Sequence, residues 1–546
     1  MAGFVPGASV DRRVSRRTVA RIVTFPATPG GTEPDVTTQA APINLPAMAP
    51  TTPLLALRIP ANLLFGTLIA WLAYDLLLLC RFIGLNQPVL YMARTALTAG
   101  LFWLLTQPRR RDLQDGPTLG TLLTCLAIAT ALLLLGGEGR YFYANVDWQV
   151  RDAVLRDMTV HPWPFTYASG DILRAPIGMY LVPALAGKTW GQAGADLALL
   201  VQNALLLGLL LALGTTLFET RKKRLIATAV FLAFSGLDLV GQIKAGHASG
   251  LTPTAHLEGW ADTQFSSTIT LAFWVPQHAI AGWIGAVGFM LWRVGRLSLG
   301  ALLILPPLIA LWSPLAAMGS MPFILFACGH DLWRRRWQGA DFALPMLATM
   351  IALPALAYLA AAGDQVGIRF FPISPGRYLT FETLEVLPYL LIAAAGWRAR
   401  FGGAVLAISG AALLIMPFIQ VGWWIDFTMR ASIPALAILA MHLADGLADG
   451  WPCSARRKGA LVLLLAIGSV TGFTEIARAL TFPVSPPPRC GFSKAWDENF
   501  SAWPKHSYLA PLDALAGPIR PHLPTRIAPD SATACYDRPW PRPSLF

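Results

Sequence analysis

The chain has 546 residues, 55% of them hydrophobic and only 13% charged, a balance that excludes a soluble globular protein of this length. Its formal net charge of +12 is gathered in short basic clusters between apolar runs. That is how the cytoplasmic loops of membrane proteins look, so the charge points to topology and not to nucleic acid.

Residues 1–53 are rich in Pro, Thr, Ala and Arg without apolar periodicity, and read as a disordered basic cytoplasmic arm. The first apolar run is too long and too far along the chain for a cleavable signal. From residue 54 to 476 apolar runs recur near 55–80, 89–106, 118–136, 196–217, 224–243, 268–292, 298–312, 315–330, 343–361, 383–397, 404–422, 431–448 and 460–476. They predict an all-α polytopic bundle of about thirteen spans.

Basic residues precede the first span (Arg12, Arg13, Arg16, Arg17) and follow each even-numbered one. They are Arg109 to Arg111, Arg221 to Arg224, Arg293 with Arg296, Arg334 to Arg336, Arg398 with Arg400, and Arg456 to Lys458. The positive-inside rule then puts the N-terminus in the cytoplasm and the C-terminus outside.

On that topology the longest inter-span loop, 137–195, is extracytoplasmic and carries NVDWQVRDAVLRDMTVHPWPFTY. DWQVRDAVLRDM predicts an amphipathic helix with Trp148, Val154 and Leu155 on one side and Arg151, Asp152 and Arg156 on the other. PIGMYLVPALAGKTWG predicts a second helix on or in the outer leaflet. Trp163, Tyr167 and Trp190 can also be read as an aromatic belt.

Three more polar clusters fall on the same expected side. One holds His247, His256, Glu258, Asp262, Gln277 and His278; another holds Arg369, Arg377 and Glu382; the third is Asp426 with Arg430. Ionisable chemistry thus gathers at one face, whereas a transporter concentrates it at the midplane. His256 and Glu258 are also candidates to orient a bound ligand or bind a divalent ion; no cofactor is otherwise indicated. After residue 477 the chain becomes a Pro-rich extracytoplasmic tail, 477–546, with little helix signal. Within it Cys490 and Cys535 are placed to form a disulfide in an oxidising compartment.

The DW…WP…Y loop, the WVPQH segment and DFTMRASIPAL make the arrangement resemble the GT-C superfamily of membrane glycosyltransferases, over most of residues 54–476. The acidic loop follows the third span here, not the first, and no tight Asp-x-Asp pair is present. The resemblance implies an inverting enzyme of a bacterial cytoplasmic membrane. It would take sugar from a polyprenyl-phosphate donor and pass it to an extracytoplasmic acceptor in cell-envelope glycan assembly. Such chemistry needs a carboxylate to take the acceptor proton, for which Asp147 is the first candidate, Asp152 the second and Asp157 the third. It also needs cationic or hydrogen-bonding groups on the departing phosphate, for which Arg377 and Arg430 are candidates, with Gln277, His278 and Asp426 beside them. A polytopic transporter and a lipid-linked polysaccharide polymerase or ligase are the alternatives.

Overall fold

Each expected apolar run falls mainly on one helix or on a broken pair of helices. The structure is a computed structural model, describing residues 54–106, 116–361, 366–422, 424–448, 451, 454–530 and 534–541. The expected N-terminal arm, Arg109 to Arg111 and Cys453 lie outside the described residues.

Among the described residues, eight helices are long and apolar enough to cross a membrane, as an integral membrane protein requires. The number is nine if Pro375–Glu385 and the segment Leu387–Gly396, bent by 52° at their junction, count as one span. The other expected spans are short or interrupted. Leu119–Leu135 has 17 residues, a length of about 26 Å against a hydrocarbon core of roughly 30 Å. Leu299–Ile309 and Gly403–Phe418 are also short.

The run 268–292 breaks between Thr268–Trp274 and Pro276–Arg293. Pro276 lacks an N–H and pushes the residue before it out of the helical region, and Val275 accordingly has φ −139° and ψ 51°. The break puts Gln277 and His278 in the first turn of a new helix.

Small residues let that new helix lie close to its neighbours. A Cβ at Gly282 would come within 2.5 Å of Ile433, one at Gly285 within 2.3 Å of Ser320, and one at Gly288 within 2.3 Å of Leu305. This stripe is the close packing by which membrane helices associate where hydrophobic burial supplies no drive between them.

Basic residues from three separate stretches of the chain meet at residues 216–218. Arg224 Nε donates to the Phe218 carbonyl at 2.9 Å, Arg400 Nη1 to the Leu217 carbonyl at 2.6 Å, and Arg296 to the Thr216 carbonyl. Clusters far apart in sequence therefore share one end of the bundle.

The expected long loop is more ordered and more buried than its sequence suggests. DWQVRDAVLRDM becomes the helix Trp148–Val160, and the second predicted helix becomes the first part of Gly178–Thr215, which kinks at Gly191 with φ 71°. An amphipathic helix lying at a surface would keep its charged side in water, yet Arg151 and Asp152 are buried. The helix packs against Gly178–Thr215, and the C-terminal segment folds back over it.

Leu509–Pro511 pairs antiparallel with Asp171–Leu173, and Thr525–Arg526 pairs parallel with Phe165–Thr166. The Tyr536 hydroxyl donates to the Gln149 carbonyl at 2.6 Å, and Trp540 Nε1 to the Ala144 carbonyl at 3.2 Å. A disulfide joins Cys490 to Cys535, and the stretch between them, which carried little helix signal, contains the helix Phe492–Asn499.

Candidate active site

Where the loop, the broken helix and the folded-back tail meet, they enclose a cavity of about 340 Å³. Its polar lining includes Asp147, Arg151, Arg174, Gln277, His278, Asp426 and Arg430. Five of the residues singled out from sequence (Asp147, Gln277, His278, Asp426 and Arg430) thus come together, although they lie in three distant stretches.

Asp147 is placed by its neighbours. Asn145 accepts from the Asp147 N–H at 3.1 Å and donates to the Phe273 carbonyl at 2.8 Å, and Trp148 Nε1 donates to that same carbonyl at 2.9 Å. The start of the Trp148–Val160 helix is therefore pinned to the end of Thr268–Trp274. Trp148 is buried in the protein, so it fixes Asp147 through that carbonyl and not by resting on a bilayer surface.

The Asp147 side chain makes no capping hydrogen bond to its own helix. It faces Arg151, one turn on, at 3.3 Å, and Arg151 donates to Gln277 Oε1 at 2.9 Å. The guanidinium is 3% exposed and the carboxylate 30%. The carboxylate therefore keeps access to a ligand while the arginine is locked behind it.

His278 shares a hydrogen bond with Ser313 through Nδ1 at 2.8 Å. Asp426 and Arg430 form an ion pair one helical turn apart. Arg174 is held by Nη2 donating to the His506 carbonyl at 3.1 Å, while its backbone N–H donates to the Tyr508 carbonyl at 2.7 Å. The Nε–H groups of Arg174 and Arg430 are buried without a hydrogen-bond partner. Both arginines line the one cavity, and two guanidinium groups on its wall suit an anionic ligand.

Other sequence candidates lie elsewhere. Arg377 does not line the cavity; it is largely exposed and pairs with Asp262. His256 Nδ1 meets Glu475 Oε1 at 2.8 Å, and Glu475 also pairs with Arg478 at 2.9 Å. Glu258 accepts from Gln264 at 2.6 Å and from the Ser267 N–H at 2.8 Å. These contacts hold a polar core together. Among the described residues no group of three or more His, Cys, Asp or Glu is arranged to hold a metal ion.

Asp152 pairs with Arg140 at 3.0 Å, and burial pushes its carboxyl up to about 7 against the pull of that arginine. Asp157 accepts from the Phe492 N–H at 2.8 Å and from the Tyr167 hydroxyl at 3.1 Å. Burial pushes it, too, up to about 7. Neither lines the cavity. Asp157 instead anchors the first turn of the tail helix.

Sequence reading missed Arg174 and the aromatic lining of the tail: Trp496, Phe500, Trp503 and Tyr508. The helix Phe492–Asn499 ends before Phe500 and Trp503, so no helical spacing in the sequence announced this group. No family model, curated protein or solved structure matches the chain.

Proposed function

We propose that the chain is an inverting membrane glycosyltransferase of GT-C type. It moves a sugar from a polyprenyl-phosphate donor to an extracytoplasmic hydroxyl acceptor in cell-envelope glycan assembly. The observation that carries this reading is the cavity itself, where two accessible carboxylates, Asp147 and the Arg430-paired Asp426, share a wall with Arg151, Arg174, Arg430 and His278.

In this reading Asp147 takes the acceptor's hydroxyl proton as the acceptor oxygen bonds to the sugar's anomeric carbon. The bond from that carbon to the phosphate oxygen breaks, and the phosphate leaves with the electron pair. Arg430 and Arg174, whose guanidinium groups line the cavity, receive the phosphate charge, and His278 assists. Arg151 orients Asp147 and is itself held by its bond to Gln277. The phosphate role expected of Arg377 passes to Arg174, because Arg377 is spent on Asp262 outside the cavity.

Purified protein in detergent, with no second compartment, should transfer sugar from a polyprenyl-phosphate donor. Lack of product over a broad donor and acceptor panel, together with uptake into vesicles, favours a transporter instead.

The proposed topology has about thirteen spans in a bacterial cytoplasmic membrane, with the N-terminus cytoplasmic and the cavity outside. A reporter fused after Arg336 should read as cytoplasmic and one after Ser374 as external. The reverse at either position breaks that topology.

A further inference from the structure

The transfer chemistry uses the charged part of the cavity and leaves its aromatic part without a role. Trp496 and Phe500 have ring centroids 5.5 Å apart at 35°, and Trp496 Nε1 donates to the Trp503 carbonyl at 2.9 Å. Burial falls off along this run. Trp496 is packed between Phe492 and Tyr508, with centroids at 5.5 and 5.4 Å; Phe500 is half-buried; Trp503 is 42% exposed. The inner ring is thus a foundation, and the outer two offer their surfaces to whatever fills the cavity.

We infer that Phe500 and Trp503 form a pyranose-binding subsite, by which the C-terminal segment holds the saccharide whose transfer the cavity performs. The inference rests on the sugar-transfer reading and names the part of the substrate that the tail recognises. A pyranose has a face of C–H bonds and a rim of hydroxyls. The C–H face is slightly positive and meets the negative face of an aromatic ring, while the rim needs hydrogen-bonding groups. Asp147, Arg174 and His506 line the same cavity and supply such groups. An isoprenoid chain would also lie against the rings, but it would leave those polar groups dehydrated and unpaired, at a cost that sugar hydroxyls avoid.

The wall is fixed in place. The Cys490–Cys535 disulfide closes the segment, Asp157 holds the Phe492 N–H, and Leu509–Pro511 is paired to Asp171–Leu173. Rings ordered before the ligand arrives lose little freedom when it binds.

The test measures saccharide binding apart from catalysis, using the full chain in detergent and saturation-transfer NMR. The probes are free oligosaccharides of one to four residues built from glucose, mannose, galactose or N-acetylglucosamine, with no lipid or phosphate. At least one should bind saturably to wild type and equally to Arg377→Ala, whose side chain lies outside the cavity. Trp503→Ala and Phe500→Ala should each weaken it roughly fivefold or more, and Trp503→Phe should restore most of the loss. No binding to wild type by any probe, or unchanged binding by both alanine variants, overturns the subsite. Ring-dependent binding in a protein that transfers no sugar supports the subsite and removes the transferase reading. Transfer with KM for the donor unchanged in both alanine variants does the reverse.

Discussion

Asp147→Asn should lower turnover by roughly a hundredfold or more, the usual scale for a lost general base, while donor binding survives. The asparagine keeps the size of the side chain and an oxygen that can accept from Arg151, which now approaches Asp147 at 3.3 Å. Arg151 also retains Gln277, so it is not left unpaired in the interior. What asparagine lacks is the capacity to take a proton. Thermal melting of the purified variant close to wild type would separate this loss from unfolding. Asp152→Asn is the matching control: Asp152 sits with Arg140 off the cavity, and its loss should spare turnover. If Asp152→Asn is inactive and Asp147→Asn active, the base lies about one turn along the helix. Activity in both removes the role of this helix in proton transfer.

Arg430→Ala should act differently, weakening donor binding as well as turnover. A lipid phosphate carries charge before the transition state as well as in it, so a group that holds it contributes to both. A hydrogen bond to a charged group is worth about 1.5–3 kcal/mol, which sets the expected loss of affinity at roughly ten- to hundredfold. Asp426 loses its ion-pair partner in this variant, but its side chain is 32% exposed and can be hydrated, so the fold should persist. Arg430→Lys keeps the charge without the planar pair of donors and should fall between the two. An Arg430→Ala protein with wild-type donor affinity would place the phosphate elsewhere. Arg377→Ala, by contrast, should leave donor affinity unchanged.

The helices were legible because a membrane span writes itself as a long apolar run, and no distant partner is needed to specify it. Span limits were less legible. Pro276 splits one run in two, and Leu119–Leu135 is shorter than the hydrocarbon core it was expected to cross. Within the site, Asp147, Gln277, His278, Asp426 and Arg430 were visible because polar groups beside apolar runs are costly and few.

Arg174 and the tail rings were not visible in that way. They are brought to the cavity by three-residue strands, Asp171–Leu173 and Leu509–Pro511, which are too short to show alternation and more than three hundred residues apart. The same distance effect explains Arg377, His256 and Glu258. Sequence displays their charge, but Asp262, Glu475 and Gln264 decide what that charge does. A solvated face was also a reasonable expectation for Arg151 and Asp152, since nothing local announces that the tail returns to cover them.

The central claim is that one cavity holds a lipid phosphate among Arg174, Arg430 and His278 with Asp147 beside the reacting sugar. Its most direct test is an experimental structure of Asp147→Asn in lipid nanodiscs with a polyprenyl-phosphoryl sugar bound. The account predicts the phosphate within hydrogen-bonding distance of Arg174 or Arg430 and the sugar's anomeric carbon on the residue-147 side of it. A phosphate bound away from this cavity, beside Arg377 for instance, would contradict it.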